Sequence, residues 1–171
     1  MVTIRPIEFE DIEDRGFLEV FENLVPAGID RIQAKQILQQ IKLNPLHKIF
    51  VAQEEEQQYH QQDADRDEKK KRKKVKVVGT TTLLVEPKFI NKGMRVGYIE
   101  DVSVRKGYDG LGIGSQLITH ATNDAISVEG CGRILLYCSK NTMPFYEKLG
   151  YKLVDDAFLM KFVQRANVYS R

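Results

Sequence analysis

The fold is decided by residues 98–116, which read YIEDVSVRKGYDGLGIGSQ. The β-branched residues of 98–104 follow the two-residue rhythm of a strand. Glycines then stand at positions 107, 110, 112 and 114. An amphipathic helix is predicted after them, because apolar residues recur on one side: Leu117, Ile118, Ala121, Ala125 and Val128. The stretch therefore predicts a strand, a glycine-rich turn and the start of a helix.

Such a turn can hold phosphate. Glycine lets the backbone approach a ligand closely, and the first N–H groups of a helix have no partner within it. The spacing alone is weak evidence, because no Gly-Lys-Ser/Thr follows as in a Walker loop, and the G-x-G-x-x-G of dinucleotide sites is missing. A tight turn without a ligand is equally consistent with these glycines.

Length and composition favour one globular domain over residues 1–171. The chain is 42% hydrophobic and 29% charged, which suits a substantial core. Its net charge of +2 gives no electrostatic argument for nucleic acid. The apolar run 134–138 is too short to span a bilayer, and the opening MVTIRP lacks the apolar core of a signal peptide. We therefore expect a soluble cytoplasmic protein with neither nucleic acid nor a membrane as its partner.

The cysteines and histidines predict no metal site. Cys131 and Cys138 bracket a predicted strand that would hold them roughly 20 Å apart, too far for a disulfide. They lack CxxC spacing, and the three histidines (His47, His60 and His120) are scattered along the chain. We expect two reduced thiols and no bound metal.

The rest of the chain alternates between strand and helix patterns. An edge strand is expected at 3–7, because Pro6 cannot donate to a sheet ladder. Helices are expected at 11–24 and from Asp30, where Asp30 and Gln33 resemble a capping box. In the second helix, Ile37, Leu38 and Ile41 are the expected buried side. Further strands are predicted at 47–52, 75–85, 133–138, 151–154 and 158–163, and a short helix at 143–150. This order predicts an α/β fold with a mixed central sheet flanked by helices.

Residues 54–76 form a charged insertion of low complexity, with 8 basic and 7 acidic residues. Few of them can enter a core, so we expect a mobile excursion between two paired strands. The basic run 69–74 is also compatible with nuclear localisation or polyanion binding, although a solvated loop is the commoner meaning of such a run.

Several of these features together resemble the GNAT superfamily of acetyl-CoA-dependent N-acetyltransferases. They are a strand ending V-x-V, a G-x-G-x-G that opens a helix, a further strand, and FYEKLGY at 145–151. The resemblance covers residues 75–163. It implies the GNAT fold for the domain and acetyl-CoA as co-substrate.

Within the superfamily, EPKFIN at 86–91, IEDV at 99–102 and GCGR at 130–133 resemble the glucosamine-6-phosphate N-acetyltransferase family. That resemblance implies acetylation of the amine of glucosamine 6-phosphate, on the route to UDP-N-acetylglucosamine. It also implies a homodimer in which the subunits share their C-terminal strands and sugar site.

The chain departs from that family at several positions. The family usually has Arg or Gln at the position of Asp109, an acid at that of Tyr137, His at that of Asn91, and Asn at that of Thr142, although Asn141 stands one position earlier. The family's late basic residue, which helps to bind the sugar phosphate, has no clear match, although Lys161 and Arg165 are near.

The resemblance implies a donor site built mainly from backbone. The pyrophosphate of acetyl-CoA would bind the turn, formed by Gly110, Leu111, Gly112, Ile113, Gly114 and Ser115. The pantetheine arm would lie along Val102, Ser103 and Val104 as an added strand. Asn141 and Tyr146 would complete the contacts with the donor.

The resemblance also assigns the catalytic residues. Tyr146 would donate a proton to the departing thiolate, which a phenol with a pKa of about 10 can do; packing beside Phe145 is the alternative. Glu100 would act on the amine as a base or an orienting group. Glu100 and Asp101 are adjacent on a strand, so their side chains are expected on opposite faces. Asp101 would then contact sugar hydroxyls or the neighbouring subunit, while two solvated acids at a strand end remain an open alternative.

The same resemblance implies that Lys88 and Arg133 bind the sugar phosphate, and that Asn91 bonds a hydroxyl or the phosphate. Two other functions stay open. The chain could acetylate a different amine, such as a protein N-terminus, a polyamine or an aminoglycoside, or it could bind acyl-CoA or a polyanion without catalysis. Asp109 and Tyr137 favour such a drift, whereas Tyr146 and the complete glycine turn argue against it.

Overall fold

The computed structural model describes residues 2–24, 27–56 and 74–154. The chain divides into two units, residues 1–138 and 139–171. The described part of the first unit has five strands: β1 (Val2–Pro6), β2 (His47–Glu56), β3 (Lys74–Pro87), β4 (Arg95–Val104) and β5 (Cys131–Leu136). Its α-helices are α1 (Phe9–Glu13), α2 (Arg31–Lys42) and α3 (Ile113–Ser127), and a 3-10 helix spans Leu18–Asn23. In the second unit, the described helix is α4 (Met143–Glu147).

The five strands form one sheet in the order β1-β2-β3-β4-β5. All neighbours are antiparallel except β4 and β5, which run parallel. The predicted mixed sheet of an α/β fold is therefore confirmed. β1 lies at the edge, where its Pro6 is tolerated because an edge strand has one side without a ladder.

Helices cover both faces of the sheet. Leu83 of β3 and Ala125 of α3 both lie beside Gly97, so this side of β3 faces α3. Side chains alternate along a strand, so Thr82 points to the opposite face. That face is covered by α1, the 3-10 helix and α2, whose buried residues form one core cluster with β2 and β3: Ile7, Ile12, Phe17, Val20, Ala34, Leu38, Val51 and Val77.

The predicted single helix at 11–24 is wrong. The structure has two short helices there, α1 and the 3-10 helix, and Gly16 between them has a φ of 75°. A left-handed residue breaks a right-handed helix, and glycine takes that conformation with little strain. The carbonyl of Gly16 accepts a hydrogen bond from the guanidinium of Arg105, which fixes the break against the end of β4.

The predicted start of α2 is confirmed. The side chain of Asp30 accepts a hydrogen bond from the N–H of Gln33 at 2.8 Å, and the Gln33 side chain accepts one from the N–H of Asp30 at 3.1 Å. The expected buried side is partly wrong. Leu38 is buried, but Ile37 is 44% exposed and Ala34 takes the other buried position. Likewise, Val128 lies beyond the end of α3 and is exposed.

Two further boundaries differ from the sequence prediction. β2 and β3 enter the predicted insertion from both sides, because residues 54–56 of β2 pair with 74–76 of β3. Glu54 lies opposite Lys76, and opposite charges across a strand pair stabilise the ladder. Residues 57–73, and with them the prediction of a mobile excursion, lie outside the described residues. So does the strand predicted at 158–163.

The strand predicted at 151–154 is wrong, since these residues adopt no regular structure. The N–H of Tyr151 donates to the carbonyl of Tyr146, so it closes a turn after α4 instead of joining a ladder. The cysteines are free, as expected, with Cys131 buried and Cys138 exposed. Among the described residues, no helix has the length and apolar character needed to cross a membrane.

Candidate active site

β4 and β5 separate part of the way along the sheet. Their parallel pairing runs from Arg95 opposite Cys131 to Ile99 opposite Leu136 and ends there. β4 continues to Val104, still paired with β3 on its other side. Within the described part of the chain, no strand pairs with residues 100–104 on the β5 side. The outer end of β4 therefore presents an open strand edge.

Three residues of this edge, Val102, Ser103 and Val104, were predicted to bind acetyl-CoA. Two of them form hydrogen bonds with the first half of the chain. Ser103 is buried, and its hydroxyl donates to the carbonyl of Val20 at 2.7 Å. Val102 and Val104 are half-buried, and the amide of Asn23 donates to the carbonyl of Val104 at 3.0 Å. Both hydrogen bonds tie the edge to the 3-10 helix.

A β-bulge lies where the edge begins. Thr82 of β3 pairs with Glu100 and Thr80 pairs with Ser103, so two residues of β4 stand opposite Thr81 alone. One of them, Asp101, has a φ of 51°, which is uncommon for a residue other than glycine. The regular strand on which the expected alternation of Glu100 and Asp101 was based is therefore absent at this point.

The two acids at the bulge interact electrostatically. Burial raises the pKa of Glu100, and the negative charge of Asp101 raises it further. Glu100 is half-buried, and its carboxylate makes no hydrogen bond or ion pair within the described part of the chain. Asp101 is exposed. Glu100 is thus a carboxylate that is still available to a ligand and is tuned towards accepting a proton.

The glycine turn and the start of α3 follow directly after this edge. The N-cap residue Gly112 has a φ of 75° and no side chain to cap the helix. A Cβ built on Gly110 or Gly112 meets no atom within 4 Å, so the turn faces open space. In the described part of the chain, the N–H groups of Ile113, Gly114 and Ser115 have no acceptor. Free N–H groups at the start of a helix are donors that an anion can use.

The structure separates backbone from side-chain roles in this turn. Ile113 is 2% exposed because its side chain belongs to the core, so only its N–H can reach a ligand. Leu111 and Asp109 are exposed on the turn. The departure at Asp109 therefore changes a surface side chain and leaves the backbone donors in place.

The three residues predicted to bind phosphate lie near the beginning of β4. Lys88 follows β3, whose last residue Pro87 pairs with Arg95, and Arg133 of β5 pairs with Val96. Arg133 is exposed and forms no ion pair within the described residues. Asn91 lies in the exposed turn between β3 and β4 and has a φ of 50°. The register thus places Lys88 and Arg133 on opposite sides of β4 at the same end of the sheet.

Lys88 has partners that the sequence resemblance did not predict. Its ammonium pairs with Glu86 and lies 5.9 Å from the ring centre of Tyr98, whose hydroxyl donates to Glu86 at 3.0 Å. The hydrogen bond from Lys88 lowers the pKa of Glu86, and the same bond raises the pKa of Lys88. The sequence did contain a signal for this ion pair. Glu86 and Lys88 are two residues apart in an extended segment, which puts both side chains on one face.

The second unit contains Asn141 and Tyr146, the remaining two residues predicted to contact acetyl-CoA. The ring of Tyr146 packs edge-to-face with Phe145 at 5.0 Å and with Tyr151 at 6.2 Å between ring centres. Its carbonyl accepts hydrogen bonds from the N–H groups of Leu149 and Tyr151. The ring of Tyr146 is thus packed against two aromatic neighbours, one in α4 and one after it. Asn141 is exposed just before α4. Among the described residues of the whole chain, no cluster of His, Cys, Asp and Glu is arranged to hold a metal ion.

Known proteins are similar to this chain in sequence and in fold. Over 76 residues the chain is 42% identical to a glucosamine 6-phosphate N-acetyltransferase of Trypanosoma brucei brucei, a segment covering 44% of this chain and 51% of that protein. It is 28% identical to glucosamine 6-phosphate N-acetyltransferase 1 of Dictyostelium discoideum over 152 residues, 88% of this chain and 85% of the relative. The solved structure of glucosamine-6-phosphate N-acetyltransferase from Arabidopsis thaliana has a TM-score of 0.74 at 23% identity, with 95% of this chain and 99% of that one covered.

These matches differ in what they show. The match to the Trypanosoma protein spans about half the length of that relative. The Arabidopsis structure, at 23% identity, shows the fold. A comparison with protein families matches residues 32–151, more than two thirds of the chain, to the acetyltransferase (GNAT) family. The chain therefore belongs to the acetyltransferase (GNAT) family.

Proposed function

We propose that this chain transfers the acetyl group of acetyl-CoA to the amine of glucosamine 6-phosphate. The observation that carries the proposal is the open edge of β4, which has Glu100 at its beginning and the glycine turn after its end. The names of the relatives and the sequence resemblance supply the acceptor.

The donor suits this edge. The pantetheine arm carries amide groups, which can pair with the free side of Val102, Ser103 and Val104 as an added strand does. The diphosphate can accept hydrogen bonds from the free N–H groups at the start of α3, whose dipole favours negative charge there. Asn141 of the second unit is proposed as a further donor contact on the resemblance.

The reaction forms a C–N bond and breaks a C–S bond. The neutral amine attacks the thioester carbonyl, and a backbone N–H at the open edge of β4 stabilises the oxygen that becomes negative. Glu100 accepts the proton that the amine nitrogen loses. CoA leaves as a thiolate, and Tyr146 is proposed as its proton donor, a role that rests on the resemblance.

The acceptor requires a cation for its phosphate. Arg133 pairs with Val96, which precedes Glu100 by four residues, or about 13 Å along a strand. The long Arg133 side chain and the sugar phosphate together can bridge this distance. A guanidinium grips phosphate with two parallel hydrogen bonds. Because Lys88 is already paired with Glu86, we expect Arg133 to contribute more than Lys88 to the binding of the phosphate.

Two polar residues complete the acceptor site. Asn91 is proposed to bond the phosphate or a hydroxyl, and Asp101 to bond sugar hydroxyls from the bulge. The proposal also includes a cytoplasmic homodimer that serves the synthesis of UDP-N-acetylglucosamine, as in the family that the sequence resembles.

The direct test is release of CoA thiol from acetyl-CoA in the presence of different amines. Glucosamine 6-phosphate should be acetylated, with the product identified by mass spectrometry, and should exceed spermidine, an aminoglycoside and a peptide N-terminus in kcat/KM. A faster reaction with one of the other amines would overturn the acceptor but keep the donor site.

A variant tests the phosphate contact. Arg133→Ala should raise the KM for glucosamine 6-phosphate by roughly 10- to 100-fold, because a charge-assisted hydrogen bond contributes about 1.5–3 kcal/mol. The KM for acetyl-CoA should stay the same. Arg31→Ala, which removes an exposed cation at the start of α2, is the control. Equal effects on both substrates would contradict the role of Arg133.

A further inference from the structure

Three side chains from different parts of the first unit meet beside the glycine turn. Tyr108 stands two residues before Gly110, and its hydroxyl donates to the carboxylate of Glu54 in β2 at 2.7 Å. The ammonium of Lys76 in β3 lies 5.5 Å from the centre of the Tyr108 ring. Glu54 and Lys76 are opposite each other in the ladder between β2 and β3. The paired ends of these two strands therefore contact the segment that leads into the turn.

Lys76 lies on the face of the sheet that α3 covers. Its neighbour Val77 belongs to the core cluster on the opposite face, and adjacent side chains of a strand point to opposite faces. Ile113, the first residue of α3, packs against β3, because a Cβ built on Gly79 would come within 3.0 Å of Cγ2 of Ile113. Lys76 precedes Gly79 by three residues, at most about 10 Å along a strand. Lys76 and the free N–H groups of α3 are therefore on one face, at the same end of the sheet.

The glycine turn lacks a cation of its own. Residues 107–116 contain one charged side chain, the carboxylate of Asp109. The start of a helix supplies about half a positive charge, whereas CoA carries a diphosphate and a further phosphate on its ribose. Arg105, just before the turn, is already engaged, because its guanidinium donates to the carbonyls of Gly16 and Val77. A donor phosphate at the turn therefore needs a cation from another part of the fold.

Lys76 meets this need. It is half-buried, and within the described residues its ammonium forms no ion pair. Glu54, the acid opposite it, accepts the hydroxyl of Tyr108 instead. The Tyr108 ring holds the ammonium by a cation–π contact, and Tyr108 and Gly110 are at most about 7 Å apart at their Cα atoms. Lys106 is exposed, and the described part of the chain gives it no comparable contact.

We propose that Lys76 binds a phosphate group of the acetyl donor, and that Tyr108 and Glu54 position its ammonium beside the glycine turn. The contact is a charge-assisted hydrogen bond from the ammonium to a phosphate oxygen. The paired ends of β2 and β3 thereby become part of the donor site, although they lie outside the open edge of β4. The proposal rests on the acetyl-CoA site proposed above but not on glucosamine 6-phosphate as the acceptor.

The test measures the binding of acetyl-CoA by calorimetry, with no acceptor present. Lys76→Met removes the charge and keeps an unbranched side chain beside Tyr108. It should weaken acetyl-CoA binding by about tenfold, as the loss of one charge-assisted contact does. Lys76→Arg keeps the charge and should restore most of the affinity. Unchanged affinity in Lys76→Met would overturn the proposal.

Lys42 provides a matched control. Its ammonium lies 5.6 Å from the ring centre of Phe9, so the same kind of cation–π contact is present at the last residue of α2. Lys42→Met should leave the affinity for acetyl-CoA unchanged. Equal losses in Lys42→Met and Lys76→Met would contradict the assignment, because they would follow from the loss of a cation–π contact and not from the loss of a phosphate contact.

Glu54→Gln tests the charge with the opposite sign. The amide oxygen can still accept the hydroxyl of Tyr108, but the negative charge opposite Lys76 is gone. Acetyl-CoA binding should therefore tighten by about twofold. Added NaCl should also weaken binding to the wild type more than binding to Lys76→Met, since salt screens the contact that the variant lacks. Weaker binding by Glu54→Gln, or equal salt dependence in wild type and Lys76→Met, would contradict an electrostatic role.

A donor without the ribose phosphate identifies the phosphate that is bound. If Lys76→Met weakens binding of acetyl-3′-dephospho-CoA as much as that of acetyl-CoA, Lys76 binds the diphosphate; if it weakens only acetyl-CoA, Lys76 binds the 3′-phosphate. Either result supports the proposal. Two further outcomes separate it from the proposed function. Acetyl-CoA binding that depends on Lys76, without acetylation of glucosamine 6-phosphate, would reject the proposed acceptor alone. Acetylation of glucosamine 6-phosphate with an acetyl-CoA affinity that is independent of Lys76 would reject this proposal alone.

Discussion

Ile99 and Leu136 form the last pair between β4 and β5, and beyond them the two parallel strands part. The bulge at Asp101 follows within two residues of Ile99. β4 therefore stops pairing with β5 just where its backbone also leaves the regular strand path. The open edge, the carboxylate of Glu100 and the start of α3 lie in sequence along one short segment, and the proposed donor site depends on this arrangement.

The glycine turn should matter for the donor more than for the fold. Gly112→Ala places a Cβ in open space at the start of α3, where a diphosphate would lie, so acetyl-CoA affinity should fall at least tenfold by calorimetry. Gly130→Ala is the matched control, since Gly130 also has a positive φ and open space around it. Both should lose about 1–2 kcal/mol of stability from the left-handed backbone. Equal loss of acetyl-CoA affinity in the two variants would refute the assignment of the turn.

The pH dependence should report on Glu100. A base must be ionised, so kcat/KM should fall as the pH drops below the pKa of Glu100, which burial and then the charge of Asp101 raise above its usual range. Asp101→Asn removes a negative neighbour and should therefore move this acidic limb to lower pH. Asp109→Asn, which changes an exposed acid in the turn, should leave it in place. A limb that stays where it is in Asp101→Asn would show that another group titrates.

Tyr146→Phe removes one hydroxyl and keeps the ring contacts with Phe145 and Tyr151. If the hydroxyl protonates the leaving thiolate, kcat should fall by about 10²-fold with little change in acetyl-CoA affinity. Phe145→Leu, which alters packing at the neighbouring position, serves as the control. An unchanged single-turnover rate in Tyr146→Phe would show that the hydroxyl has no catalytic role and that Tyr146 serves only in packing.

The sequence revealed those features whose signals are local. The capping box of Asp30 and Gln33 is contained in four consecutive residues, and both of its hydrogen bonds are present. The mixed sheet followed from the order of apolar runs. The apolar spacing on either side of Gly16 suggested one helix over 11–24. The left-handed backbone at Gly16 divides this region into two helices.

Features that depend on distant partners could not be predicted. The bulge at Asp101 has no glycine to mark it, and it arises from the register of β4 against β3. The hydroxyl of Tyr98 reaches Glu86 because β3 and β4 pair, which the sequence spacing does not reveal. The pattern of residues 151–154 favoured a strand, but the carbonyl of Tyr146 captures the N–H of Tyr151.

Asp11 should be the main electrostatic determinant of stability in the first unit. Its side chain is fully buried, accepts hydrogen bonds from Arg5 at 2.6 and 2.7 Å, and forms an ion pair with Arg15 at 3.2 Å. Asp11→Ala leaves the two guanidinium groups without this partner, and should lower the free energy of unfolding by about 3 kcal/mol. Asp14→Ala, at an exposed position, should change it by about 0.5 kcal/mol or less. Similar losses in both variants would contradict this role.

The same carboxylate predicts a pH dependence. Burial by itself raises the pKa of Asp11, but the hydrogen bonds from Arg5 and from the N–H of Glu8 outweigh burial and hold the pKa below its usual value. Its contribution to stability is therefore complete above the unfolded pKa of about 3.9 and is lost as the pH falls through the lowered pKa. Urea unfolding at neutral and acidic pH should show the gap between wild type and Asp11→Ala shrinking in acid.

The central claim is that the acceptor is an amino sugar phosphate, and the most direct measurement compares two sugars with the wild-type enzyme. Steady-state thiol release gives kcat/KM for glucosamine 6-phosphate and for glucosamine at saturating acetyl-CoA. The phosphate should contribute charge-assisted contacts to Arg133, so glucosamine should be poorer by roughly 10- to 100-fold. Equal kcat/KM values for the two sugars would contradict the claim.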